Sequence, residues 1–78
     1  MKMLDFNQVN AVNLMLRDKG IEYTMHLLGA CACEGVILTQ EGEAHSIDDI
    51  CALINELFKD KFVRVRPGDP DPLRLIIE

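Results

Sequence analysis

Apolar residues recur at helical spacing near the start of the chain, at Val9, Val12 and Leu16, with Phe6 flanking them. Asn7, Asn10 and Arg17 mark the opposite side. This stripe predicts a first helix over residues 4–20. Asp5 is the expected N-cap, Gln8 completes a capping box, and Leu4 and Val9 are placed for a hydrophobic staple. Arg17 and Lys19 suit the negative end of the helix, and Gly20 supplies the stop. Leu14 falls among the polar residues and has no core role. The period then changes to two. Ile21, Tyr23, Met25 and Leu27 point one way and Glu22, Thr24, His26 and Leu28 the other, as in a half-buried strand. Val36 to Gln40 reads as a second strand, with Val36 and Leu38 opposed to Ile37 and Thr39.

A polar turn at Gln40-Glu41-Gly42-Glu43-Ala44 leads into a second helix. Ser46 caps it, and Asp49 completes an S-x-x-D box. Ile47, Ile50, Cys51, Ile54, Leu57 and Phe58 follow on one face. Phe62 to Arg66 and Leu73 to Ile77 are the third and fourth strands. They flank Pro67-Gly68-Asp69-Pro70-Asp71-Pro72, a stiff turn that cannot join a sheet interior. Pairing Arg64 with Arg74 puts Val63, Val65, Leu73, Leu75 and Ile77 on one face. A slip of one residue would mix valine with arginine on both faces. The order is αββαββ, a repeat of pattern without identity between the halves. It predicts an α+β fold: one domain over residues 1–78, a two-layer α/β sandwich. In it a four-stranded, mainly antiparallel sheet carries both helices on one face and leaves the other open.

Composition narrows the function classes. The 78 residues carry a formal charge of −5, with a net of −1 over residues 1–40 and −4 over 41–78. Phosphate binding needs a basic footprint, so nucleic acid is not an expected partner, and the same balance argues against an anionic membrane surface. No segment approaches the ~18 apolar residues of a membrane span. The start reaches an acid before any hydrophobic run, unlike a signal peptide, so the expected compartment is the cytoplasm. Thiols stay reduced there, and three cysteines are not read as a disulfide framework.

The open face is expected to show Thr24, His26, Leu28, Ile37, Thr39, Phe62, Arg64, Arg66, Arg74 and Ile76. It carries more apolar surface than a face meant only for water, as do surfaces that meet a partner or a second copy. Arginines directly opposite one another call for an anion between them. That anion is either a local acid such as Glu78 or Glu22, or a carboxylate or small anion from outside. His26, Arg64, Arg66 and Arg74 are therefore the candidate binding residues. A homodimer, an acidic protein or a small anion is the expected partner.

Cys31 and Cys33 form a C-x-C pair within Gly29–Gly35. With His26 and His45 they make a candidate set for zinc or another soft metal, or on their own a strained, reducible redox pair. The plainer reading is two small buried residues lining a turn. A tight turn at Gly29-Ala30 would set His26 against Cys33. Pairing Leu27 with Val36 and Met25 with Leu38 buries the strands better and leaves 28–35 as a loop. The fragment 28–33 is similar to the cysteine loop of iron–sulfur scaffold domains of the NifU C-terminal type. Those domains use C-x-x-C, follow two strands and lead into a helix; here C-x-C follows one strand and leads into another. Asp48 and Asp49 diverge on their helix and do not form a catalytic pair. There is no Ser-His-Asp set, glycine-rich phosphate loop or H-E-x-x-H motif to propose an enzyme. The expectation is a small interaction module that self-associates through the open sheet face. The alternative is a thiol-centred protein using Cys31 and Cys33.

Overall fold

The computed structural model describes residues 4–28, 35–61 and 63–78. Helix α1 (Phe6–Asp18) begins as its sequence dictates. The Asp5 carboxylate accepts from the Gln8 amide at 2.8 Å, and the Gln8 side chain accepts from the Asp5 amide at 2.9 Å. The helix ends in a Schellman motif. Ile21 N–H reaches the Leu16 carbonyl at 2.9 Å and Gly20 N–H the Arg17 carbonyl at 3.1 Å, with Gly20 left-handed at φ 70°. Ile21 and Leu16 are both buried, which adds the apolar contact this motif favours.

Strands β1 (Tyr23–Leu28) and β2 (Gly35–Gln40) pair antiparallel, with Met25 opposite Leu38 and Leu27 opposite Val36. This is the register that buries both strands. Helix α2 (Ile47–Leu57) starts at Ser46, whose hydroxyl accepts from the Asp49 amide at 3.3 Å. A 3-10 turn (Lys59–Lys61) follows, then β3 (Val65–Arg66) and β4 (Arg74–Ile77). The strand order is β1-β2-β4-β3, with every pair antiparallel. β4 divides its pairing. Arg74 and Leu75 face β2, while Ile76 and Ile77 face β3.

One core joins the layers. Val9, Val12 and Leu16 of α1 and Ile50, Cys51 and Ile54 of α2 pack with Met25, Val36, Leu38, Val65 and Leu75 of the sheet. Both helices therefore cover the same face, as an αββαββ pattern requires, and the sheet stays open. No helix among the described residues is long and apolar enough to cross a membrane.

Three expectations change. Phe6 is 70% exposed rather than flanking the core, and Leu57 is 41% exposed, because each sits one step off its helix's buried arc. The β3–β4 register moves by four residues. Val65 lies opposite Ile77 and Arg66 opposite Ile76, and the backbones of Arg64 and Glu78 exchange hydrogen bonds of 3.3 and 2.8 Å. Proline explains the shift. Setting Arg64 against Arg74 would place Pro72 opposite Arg66 and draw Pro67 into the ladder, where neither can donate. The observed register leaves all three prolines in the connection, which Asp71 holds by accepting from Leu73 N–H at 3.0 Å and Arg74 N–H at 3.1 Å. An even shift preserves the faces, so Val65 and Leu75 are buried as the alternation predicts.

The two halves share more than element order. Met25–Leu38 and Val65–Ile77 are equivalent pairs, on equivalent outer and inner strands. Val9, Val12 and Leu16 take the same places relative to Asn13 as Cys51, Ile54 and Phe58 take relative to Asn55. An approximate two-fold axis passes through the β2–β4 seam, where Val36 faces Leu75.

Candidate functional site

The uncovered face consists of the side chains that alternate away from this core. Thr24, Leu28, Ile37 and Ile76 are half-buried there, while His26, Thr39, Arg64, Arg66 and Arg74 are exposed. The ladder sets His26 beside Ile37 and Ile37 beside Arg74, forming a row across three strands. Ile76 stands next to Arg66 on the following row. Leu28, Ile37 and Ile76 thus make an apolar middle, flanked by polar and charged groups.

The charges are sorted across it. At the β1 end, the Thr24 hydroxyl donates to the Glu41 carboxylate, and the Glu22 side chain lies over Gly42. At the β3 edge stand Arg64 and Arg66, while Arg74 lies in the central row beside Ile37. Glu78 pairs with Arg66, so a local acid answers part of the arginine cluster. Arg64 and Arg74 are no longer opposite each other and need no anion bridging them. Among the described residues no carboxylate lies within 4 Å of either.

The outer edges of the sheet are closed by two side chains that sequence pattern did not single out. The Asn13 amide accepts from Met25 N–H at 2.7 Å and donates to Met25 C=O at 3.1 Å. Asn55 does the same for Val65, at 2.7 and 3.0 Å. Each asparagine occupies the place of a neighbouring strand at the middle of an edge. The signal was present but unread: asparagine is a poor mid-helix residue, and beside a buried stripe it needs a partner. Grooves of about 670 Å³ beside Asn55 and about 530 Å³ beside Asn13 run along these edges. The first is lined by Lys59, Arg64 and Glu78 among others, the second by Arg17, Thr24 and Glu41.

Comparison of the chain with protein-family models, with curated proteins and with solved structures gives no match. The geometry alone must carry the functional reading. His26 lies opposite Ile37, not Cys33, so the tight hairpin that would have joined them does not form. Cys31 and Cys33, the candidate metal or redox pair, lie outside the described residues, as does Phe62. His45 is held elsewhere: its backbone N–H donates to the Tyr23 hydroxyl at 3.1 Å, which donates to the His45 carbonyl at 3.3 Å. Among the described residues no three His, Cys, Asp or Glu side chains are placed to hold a metal ion. Cys51 is buried in the α2 core, and burial, followed by the nearby Asp48 charge, pushes its thiol up to about 11. A thiol so disfavoured as thiolate is a packing residue rather than a nucleophile.

Proposed function

We propose that this chain is a small cytoplasmic binding module that self-associates through its uncovered sheet face. The observation that carries this reading is the contrast between face and edges. Strand addition needs unpaired backbone groups at an edge, and Asn13 and Asn55 already occupy the middle of both. The face instead offers a contiguous apolar middle with charged groups around it, the layout of a contact surface with an apolar centre and polar rim. A domain this small also has much to gain, since mating the face would enlarge a core limited by chain length.

Light scattering after size exclusion tests the proposal. The expected result is a dimer that Ile37→Lys with Ile76→Lys turns into a folded monomer. A wild-type chain that stays monomeric at about 1 mM, a binding free energy weaker than ~−4 kcal/mol, would rule it out.

A further inference from the structure

The internal two-fold of the sheet also relates the two edge grooves. Asn10, Asn13 and Arg17 of α1 correspond to Ala52, Asn55 and Lys59, and Tyr23 and Thr24 of β1 correspond to Val63 and Arg64. Each of these residues lines its own groove. Ala52 and Val63 are smaller than Asn10 and Tyr23, and the groove beside Asn55 is the larger, about 670 against 530 Å³. The charges differ as well. The Asn13 groove sets one cation, Arg17, against Glu22 and Glu41, whereas the Asn55 groove sets Lys59 and Arg64 against Glu56 and Glu78. Only the second is balanced.

The backbone of this second groove limits what can enter it. Arg64 and Glu78 exchange hydrogen bonds, so the N–H and C=O of Val63, like those of Val65, turn away from β4. Asn55 takes both groups of Val65, while those of Val63 have no partner among the described residues. The Asn55 plug therefore bounds one end, and the turn Lys59–Lys61, which carries the chain from α2 towards β3, bounds the other. An added strand does not fit between them, but the main chain of a single residue does. We infer that this groove binds a free α-amino acid with a short aliphatic side chain. The ligand's carboxylate accepts from Val63 N–H, and its ammonium group donates to the Val63 carbonyl, as one residue of a neighbouring strand would. A free amino acid is a zwitterion, and two cations with two anions around the groove match it where a simple anion would meet two glutamates. Lys59 already pairs with Glu56 at 3.1 Å and Glu78 with Arg66, so Arg64 is the cation left to answer the ligand's carboxylate. Glu56 and Glu78 each keep further acceptor sites for the ammonium group. Ala52 and Val63 supply the apolar lining for the side chain. The volume lies within the ~300–1,000 Å³ of small-ligand sites. The groove opens at the sheet edge, so this site does not rest on the self-association proposed above.

Amide nitrogen–proton correlation spectra of the full chain, titrated with L-valine, test the site. The Val63 amide and the Asn55 side-chain amide should shift saturably, with a Kd of about 1 mM or tighter. Isovalerate, which lacks the ammonium group, and valinamide, which lacks the carboxylate, should each bind at least about tenfold more weakly. Arg64→Ala should weaken L-valine binding by about tenfold, and Ala52→Leu should fill the groove and abolish the shifts. Both positions are exposed, so both variants should melt as the wild type does. Isovalerate or valinamide binding as tightly as L-valine would overturn the zwitterion as the ligand. Spectra unmoved by L-valine at about 10 mM, or shifts that survive Ala52→Leu in a folded chain, would overturn the site itself.

Discussion

Replacing Asn13 with alanine removes two hydrogen bonds at once, the 2.7 Å acceptance from Met25 N–H and the 3.1 Å donation to Met25 C=O. A bond of this kind has a net worth of about 0.5–1.5 kcal/mol, so the pair is worth roughly 1–3 kcal/mol. Two effects reduce the loss. The edge lies at the surface, where water can replace part of the pairing. Alanine is also the better helix former, by up to ~0.7 kcal/mol. The net destabilisation should be about 1–2 kcal/mol, a fall in Tm of roughly 4–16 °C for a domain of this size. Asn55→Ala should cost about as much, because its contacts with Val65 have nearly the same lengths. The two plugs lie at opposite edges, so the double variant should add to within ~0.5 kcal/mol. Urea denaturation would measure the loss, and amide exchange would locate it: the Met25 N–H should lose protection in the first variant and the Val65 N–H in the second. An uncovered edge also invites pairing between chains, so the double variant should aggregate at concentrations the wild type tolerates. A Tm change of less than about 2 °C with both amides still slow to exchange would refute the role of the asparagines.

Two further perturbations test the packing. Cys51 keeps its proton in the folded chain to about pH 11 but loses it near 9.0 when unfolded. Its contribution is therefore present in full below pH 9 and disappears as pH rises toward 11, a loss on the order of 2 kcal/mol; Cys51→Ala should flatten that part of a stability-against-pH curve, and an unchanged curve would contradict the assignment. A Cβ at Gly68 would collide with the backbone carbonyl oxygens of Arg74 and Asp71. Gly68→Ala should therefore unseat the β3–β4 connection. Gly20→Ala meets nothing within 4 Å and bears only the left-handed strain of about 1 kcal/mol, so its melting temperature should stay well above that of the Gly68 variant.

Pattern reached far into this fold. The capping box at Asp5 and Gln8, the stop at Gly20 and the Met25–Leu38 register are each set by neighbours in sequence or by strict alternation, and those are legible without a structure. Phe6 and Leu57 were misplaced because a helical stripe has soft margins. Whether a flanking side chain is covered depends on where the sheet ends beneath it. The Arg64–Arg74 pairing failed for another reason. Alternation fixes only odd against even, and choosing among even shifts required counting which positions can donate to a ladder. The second half could have been read from the first, since Val65–Ile77 repeats Met25–Leu38 although no identity links them. His26, Arg64, Arg66 and Arg74 were placed on the correct face, but the acids opposite them were underweighted. Glu22 and Glu41 share that face by the same alternation as Thr24 and Thr39, and Glu41 N–H bonds the Glu22 carbonyl at 2.8 Å one step past the ladder.

The seam between β2 and β4 bears on how this molecule comes apart. Across it Val36 pairs with Leu75 and Ile37 with Arg74, and Leu38 N–H donates to the Leu73 carbonyl at 2.8 Å. Each half, by contrast, closes its own outer edge with its own helix, through its own asparagine. The chain is in effect two edge-sealed units joined along a short line over one shared core, so parting them costs that core as well as the ladder. A unit that opens in this way bares an inner strand whose natural complement is the equivalent strand of another molecule. The same seam that completes the sheet within one chain could therefore complete it between two by exchange of halves.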